Sequence, residues 1–247
     1  MLTKPPDQVL PEIGKFFLGY PYAVATLEKK SKEHLVVNLR EHDCVTFIEN
    51  VLALSWCIGS RDKSFKTFRR ILQKIRYRGG LPGGYCSRLH YFSDWIYENE
   101  KRGILKDITA EIGGRPLRKA LHYMTAHVHL YPPLKEPADF RRMRSVERRI
   151  SRRLFFFIPK EVTKHIENRI HEGDLIALTT HREGLDIHHV GLASGVKNRI
   201  HLLHASQKEG KVVLSRKTLY GYLMGNRDCT GIMVARPVNA NAGFYQH

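Results

Sequence analysis

Five residues in this chain have the types and spacing for covalent catalysis: Cys44 and, far downstream, His188, His189, His201 and His204. Cys44 opens HDCVTFIENVLAL, in which Val45, Phe47, Ile48, Val51, Leu52 and Leu54 recur at the spacing of an amphipathic helix. A cysteine in the first turn meets unpaired backbone N–H groups and the positive end of the helix dipole, so a partly ionised thiol is expected near neutral pH. A thiol nucleophile also needs an imidazole to carry its proton, a polar group to orient that imidazole, and donors for an oxyanion. IHHVGLAS and RIHLLHAS supply the imidazoles inside aliphatic, strand-like segments. Alternation along a strand sends His188 and His189 to opposite faces, so only one can meet Cys44, and the same holds for His201 and His204 on the next strand. The blander readings are a small buried hydrophobe for Cys44 and hydrogen-bonded core residues for the histidines. An imidazole within an aliphatic strand needs a reason to be there, and catalysis supplies one.

The elements that must position these groups follow from periodicity. Helices are expected over residues 8–18, from Cys44 to about Cys57, over FKTFRRILQKIRYRGG (with Phe65, Phe68, Ile71, Leu72 and Ile75 inside), from near Leu89, over LRKALHYMTAHVHLY, and around 141–153. Glycines at 59 and 79–80 and the Pro132–Pro133 pair punctuate them. After Pro159 the period shortens: DLIALTTH, IHHVGLAS, RIHLLHAS, KVVLSR and TGIMVARPV read as neighbouring antiparallel strands, with TLYGYLM as a helix or turn before the last. Helices first and sheet second is an α+β pattern, and 247 residues suit a single catalytic domain, 1–247.

Composition narrows the class. Hydrophobic residues make up 42% and aromatics 10%, which fits a folded protein rather than a disordered one. The net charge of +17 would attract an anionic polymer, nucleic acid or acidic lipid. Its densest run, RRMRSVERRISRR, carries Met143, Val146 and Ile150 at helical spacing and reads as a helix with a basic outer face. No stretch reaches the roughly 20 apolar residues of a membrane span, and the charged, proline-bearing start MLTKPPDQVL lacks a secretory core. Cys44, Cys57, Cys86 and Cys229 form no C-x-x-C pair, so neither a zinc knuckle nor a redox motif is indicated.

GYPYAVATLE, HDCVTFIENVLAL, GLDIHHVGLAS and LLHAS, in this order, resemble the N-acetylmuramoyl-L-alanine amidase-like branch of the NlpC/p60 superfamily of papain-like cysteine hydrolases. The resemblance spans about residues 14–206. It implies a papain-like core, Cys44 as nucleophile, His189 of the His-Val-Gly strand as base, and His204 as the orienting third member, with Asp43, directly before the cysteine, counted among the substrate-binding residues. It places Tyr22, of a Pro-Tyr pair, beside the reacting carbonyl as a clamping or oxyanion-side hydroxyl. It implies a peptidoglycan or muropeptide substrate, no cofactor and no metal, and a periplasmic or secreted home. Two features depart from the commoner pattern. Val45 stands where a small serine is usual, which points to the amide between N-acetylmuramic acid and L-alanine rather than to a bond deeper in the stem peptide. Cys44 and His189 are 145 residues apart, so residues 60–165 are expected to form a helical insertion shaping the cleft, with Tyr85 and Arg88 as contacts for a sugar ring or carboxylate.

Two competing readings remain at this stage. A zinc hydrolase would draw on His181, Asp186, His188, His201 or His204, but no H-E-x-x-H-type spacing occurs. A nucleic-acid-binding module would use the positive charge, but no helix-turn-helix, RNA-recognition or finger signature accompanies it.

Overall fold

The aliphatic segments after Pro159 form strands where periodicity placed them. The computed structural model describes residues 6–28 and 32–238; the ends of the expected 1–247 domain lie outside the described residues. Helices are α1 (Pro6–Phe16), α2 (Cys44–Gly59), α3 (Phe65–Arg76), α4 (Phe92–Lys101), α5 (Tyr123–Ala126), α6 (Pro137–Ser151), α7 (Thr163–Ile166) and α8 (Leu219–Met224). Strands are β1 (Leu105–Asp107), β2 (Arg115–Leu117), β3 (Phe155–Pro159), β4 (Leu175–Thr180), β5 (Ile187–Val196), β6 (Arg199–Ser206), β7 (Lys211–Thr218) and β8 (Cys229–Pro237). They join in one antiparallel sheet of order β2-β3-β8-β4-β5-β6-β7, with β1 also pairing β8. The architecture is α+β, as the element order implied. Among the described residues, no helix is long and apolar enough to cross a membrane.

Burial explains why α2 is the central helix. One sheet face presents Leu175, Ala177, Val190, Leu192 and Leu203 to a core that includes Phe47, Ile48, Val51, Leu52 and Trp56. The other face presents Ile176, Leu178, Ala193 and Leu202 to Leu219 and Leu223 of α8. A helix covered nearly all round must pair its polar groups internally. Glu49 does so: its carboxylate accepts from Arg76 Nε of α3 at 2.7 Å and from Trp95 Nε1 of α4 at 3.2 Å. That buried ion pair ties α2, α3 and α4 into one layer over the sheet.

Residues 60–165 depart from the expected helical insertion, for they contribute β1, β2 and β3 to the sheet. The helix expected over LRKALHYMTAHVHLY breaks up: β2 takes Arg115–Leu117, and only Tyr123–Ala126 is α-helical. The cause is tertiary, since the His122 and Tyr123 amides both donate to Gly184 O and anchor this stretch to a distant loop. Helix α3 stops at Arg76 because Tyr77 turns its ring inward, 1% exposed, and donates its hydroxyl to Glu33. Phe65, expected inside, is 61% exposed, while Phe68, Ile71, Leu72 and Ile75 are buried. Helix α6 buries Met143 and Ile150 and leaves Arg141, Arg142, Arg144, Arg148 and Arg149 outside, as its periodicity indicated.

Candidate active site

Helix α2 begins at Cys44 because Asp43 caps it. The Asp43 Oδ1 atom accepts from Val45 N at 2.9 Å and Thr46 N at 2.7 Å, and Thr46 Oγ1 accepts from Asp43 N at 2.9 Å. This reciprocal box satisfies amides that a helix start otherwise leaves open. Oδ2 of the same carboxylate accepts from Thr26 Oγ1 at 3.2 Å. Asp43 is thereby committed on both oxygens, and its role is to seat the cysteine.

The half-buried Cys44 thiol reaches the sheet at Val190, whose backbone N–H is a hydrogen-bonding neighbour of the sulfur. The residue before Val190 is His189, and its Nε2 lies 2.7 Å from His204 Nδ1. The two rings are edge-to-face, 4.7 Å apart, with His204 buried and His189 half-buried. Gly191 makes this possible: a Cβ there would lie 2.9 Å from the Cβ of His204 and 2.8 Å from Leu202 Cδ1. The glycine of His-Val-Gly is therefore the gap through which His204 crosses to its partner.

The alternation expected between His188 and His189 does not hold. Leu178 pairs with His189 and Thr179 with Ile187, so β5 holds one extra residue at this point, a β-bulge. Ile187 and Val190, on either side of the pair, both pack into the core that holds α2, so the two histidines do not take opposite faces as expected and differ instead in their partners. His188 Nε2 lies 3.2 Å from Asn226 Nδ2, while His189 meets His204. His201 turns to Ser215 O at 2.8 Å.

Electrostatics correct the expected ionisation of the cysteine. Burial, and then the negative charge of Asp43, push Cys44 up to about 12, against the opposing pull of the Val190, Cys44 and Val45 amides. Burial and the neighbouring His204 hold His189 well below the usual imidazole value, and burial lowers His204 to about 4. The resting site is therefore a neutral thiol beside neutral imidazoles. Removal of the helix-start charge from water outweighs the few tenths to 1 kcal/mol that a helix N-terminus typically returns.

Tyr22 flanks the thiol. Its backbone N–H donates to Gly210 O at 2.9 Å, and it bridges to His42 in parallel register. Its hydroxyl is raised to about 12 by burial and by Cys44 and Asp43, so it remains a donor. Two participants had not been singled out from sequence. His42 is fully buried, edge-on to Phe17 at 4.7 Å and 3.3 Å from Asn50 Nδ2; its backbone pairs with Pro21 and Ala23. It clamps the tyrosine segment to the start of α2, and its only sequence signal was a polar residue directly before Asp43–Cys44. Tyr222 of α8 stands edge-on to His204 at 5.3 Å, and burial, with smaller contributions from Cys229 and Cys44, raises its hydroxyl to about 12. Nothing in TLYGYLM marked it.

Tyr85 and Arg88 sit elsewhere. Both are buried beside Glu28 and Glu33, and among the described residues no hydrogen bond, ion pair or ring contact joins them to Cys44, His189 or His204. The residues considered for zinc are also apart: Asp186 accepts from Ser93 N, and His188, His201 and His204 have the separate partners given above. Among the described residues, no three His, Cys, Asp or Glu side chains gather as a metal-ligand group.

A capped helix that brings one cysteine to a histidine pair on an antiparallel sheet is the frame of an α+β hydrolase. The chain belongs to the AmiA-like family, described as N-acetylmuramoyl-L-alanine amidase-like, whose model matches residues 12–232. It is an enzyme of that amidase-like type. A structure of an N-acetylmuramoyl-L-alanine amidase from Bacteroides uniformis superposes with a TM-score of 0.88 at 38% identity, covering 92% of this chain and 98% of that one. A second from the same organism gives 0.85 at 35%, covering 94% and 98%. A Bacteroides fragilis structure with the provisional name of xylanase gives 0.85 at 40%, covering 91% and 99%. Among curated proteins, none matches the chain.

Proposed function

We propose that this chain is a cysteine amidase of the papain-like NlpC/p60 type that hydrolyses the amide between N-acetylmuramic acid and L-alanine in peptidoglycan fragments. The observation that carries this reading is the 2.7 Å contact between His189 Nε2 and His204 Nδ1, beside a thiol at the start of a capped helix. With His189 donating Nε2–H to His204, its Nδ1 is the unprotonated nitrogen that takes the Cys44 proton. The thiolate formed at that moment attacks the lactyl carbonyl carbon. The resulting oxyanion draws on the Cys44 backbone N–H and the Tyr22 hydroxyl. The C–N bond then breaks, His189 returns its proton to the alanine nitrogen, and the lactyl group is left as a thioester on Cys44. Water, deprotonated by His189, hydrolyses that thioester and frees the sugar acid and the thiol. The neutral resting pair suits this sequence, because His189 stays unprotonated well into mildly acidic pH.

The provisional xylanase name of one neighbour supports a different chemistry, one requiring two carboxylates flanking a glycosidic bond. Asp43 is the acidic residue adjoining Cys44, and it caps the helix with both oxygens. The amidase reading therefore has the better chemistry. A peptidoglycan substrate makes the periplasm or the cell exterior the proposed location.

Incubation with a disaccharide-tripeptide is expected to release free disaccharide and a peptide with N-terminal alanine, resolved by mass spectrometry. Cys44→Ala should abolish the reaction and EDTA should leave it intact. Disaccharide still bearing L-alanine would move the scissile bond, and loss of activity in EDTA would favour the zinc alternative.

A further inference from the structure

Helix α4 carries Ser93, Ile96, Tyr97 and Glu100 at the i, i+3, i+4 and i+7 spacing that brings side chains onto one face. Along that face lies a trough of about 440 Å³. It falls within the range of small-ligand sites, roughly 300–1,000 Å³. Phe155 of β3 and Met233 of β8 are buried walls, while Tyr97 and Leu154 stand at its mouth, 38% and 48% exposed. The trough shares a sheet face with the catalytic centre but none of its residues. Met233 pairs with Ala177, and Ala177 with Val190 beside Cys44. Two strand spacings, about 10 Å, thus separate them.

Its polar groups are few and unmatched. Glu100 and Asp107 both line it, and Glu100 Oε1 accepts from the Asp107 amide at 2.9 Å, which keeps the two carboxylates together at one end. Among the described residues neither makes an ion pair, although the chain carries 41 lysines and arginines. The cations nearby are engaged elsewhere. Arg153 meets Asp94 at 2.6 Å and covers the Tyr97 ring at 3.7 Å, Lys101 lies over the same ring at 5.6 Å, and Lys106 pairs with Glu111 at 2.6 Å. Burial, with the charges of Glu100 and Glu111, pushes the Asp107 carboxyl up against hydrogen bonds from Thr109. A cation between the two carboxylates would offset that repulsion, and the apolar walls beside them suit an organic cation better than a hydrated metal ion. Seven residues back along α4, about 10 Å away, Ser93 lines the other end. It is 2% exposed, and among the described residues its Oγ makes no hydrogen bond. A buried hydroxyl left open calls for a reason, and the polar far end of a ligand supplies one.

We infer that this trough is a binding site for a primary amine carried on an apolar body: the ammonium lies between Glu100 and Asp107, the body packs on Ile96, Phe155 and Met233, and a hydroxyl or carbonyl at the far end meets Ser93 Oγ. The site is separate from the amidase centre and does not depend on that reading.

The probe is tyramine, which has an ammonium, an aromatic ring and a hydroxyl at the opposite end, titrated calorimetrically into the full chain. It should bind the native protein, whereas para-hydroxyphenylpropionate, of similar shape but with a carboxylate for the amine, should not. Glu100→Gln and Asp107→Asn each keep an oxygen to accept from the backbone amide that the carboxylate now meets. Each should weaken tyramine about tenfold or more, the usual worth of a hydrogen bond to a charged group. Ser93→Ala should weaken tyramine about fivefold, the loss of one neutral hydrogen bond. It should leave phenethylamine, which lacks the hydroxyl, bound as before. No tyramine binding, equal binding of the propionate, unchanged binding in both carboxamide variants, or equal effects of Ser93→Ala on the two amines would overturn the inference.

Discussion

The assignment of roles rests on two residues with opposed pKa pressures. Cys44 is raised to about 12 and His189 is held low, so neither carries charge at rest. A preformed thiolate would be alkylated at a rate independent of pH across neutrality. This site should instead show an iodoacetamide rate at Cys44 that climbs with pH through 9 without a plateau, measured by peptide mass mapping. A plateau between pH 6 and 8 would restore the thiolate expected from the helix start alone. The histidines separate as cleanly. His189→Ala should lower kcat by about 10²–10⁴-fold, the usual worth of a general base. His188→Ala, whose ring meets Asn226 rather than His204, should stay within a few-fold. The reverse ranking would mean that the bulge delivers the other ring to Cys44.

At the scale of elements, the site depends on how closely β5 and β6 approach. A methyl group at Gly191 would collide with the Cβ of His204, with Leu202 and with the backbone oxygen of Leu203, all within 3 Å. Gly191→Ala should therefore displace His204 from His189. The expected result is a fall in kcat of at least tenfold, with a stability loss of about 1–3 kcal/mol in urea, the usual cost of overpacking. Unchanged turnover in a folded variant would show that His204 does not orient the base. The same elements show where periodicity ran out. β1 and β2 are three residues each, too short for a period-two pattern to register, and β3 reads FFFIP with no alternation. All three are strands because β8 and one another offer open edges, which no local window contains.

For the molecule as a whole, buried histidines set a pH limit. His42 and His204 are lowered to about 4 and His90 to about 3, in each case chiefly by burial. In the unfolded chain these groups protonate near 6.5. Between about pH 6.5 and 4 the unfolded state therefore binds more protons, so their contribution is full above 6.5 and is lost as pH falls. At pH 5 each is expected to have forfeited about 2 kcal/mol, a large share of the 5–15 kcal/mol of a typical domain. Thermal melts from pH 7.5 to 4.5 should show Tm dropping steeply below 6.5, and a flat profile would refute the burial of these rings in neutral form. Local chemistry was enough to identify Cys44 at a helix start, the histidines at 188–189 and at 201 and 204 within strands, and the α+β order of elements, because apolar period and strand composition are properties of a few consecutive residues; the choice of His189 and His204 came from the family resemblance. Only the tertiary structure decided that the thiol is neutral, that a bulge breaks the alternation expected at His188 and His189, and that His42 and Tyr222 border the site. The desolvation of Cys44 and the meeting of α2 with β5 and α8 are set by groups more than a hundred residues apart, and no stretch of sequence holds both partners.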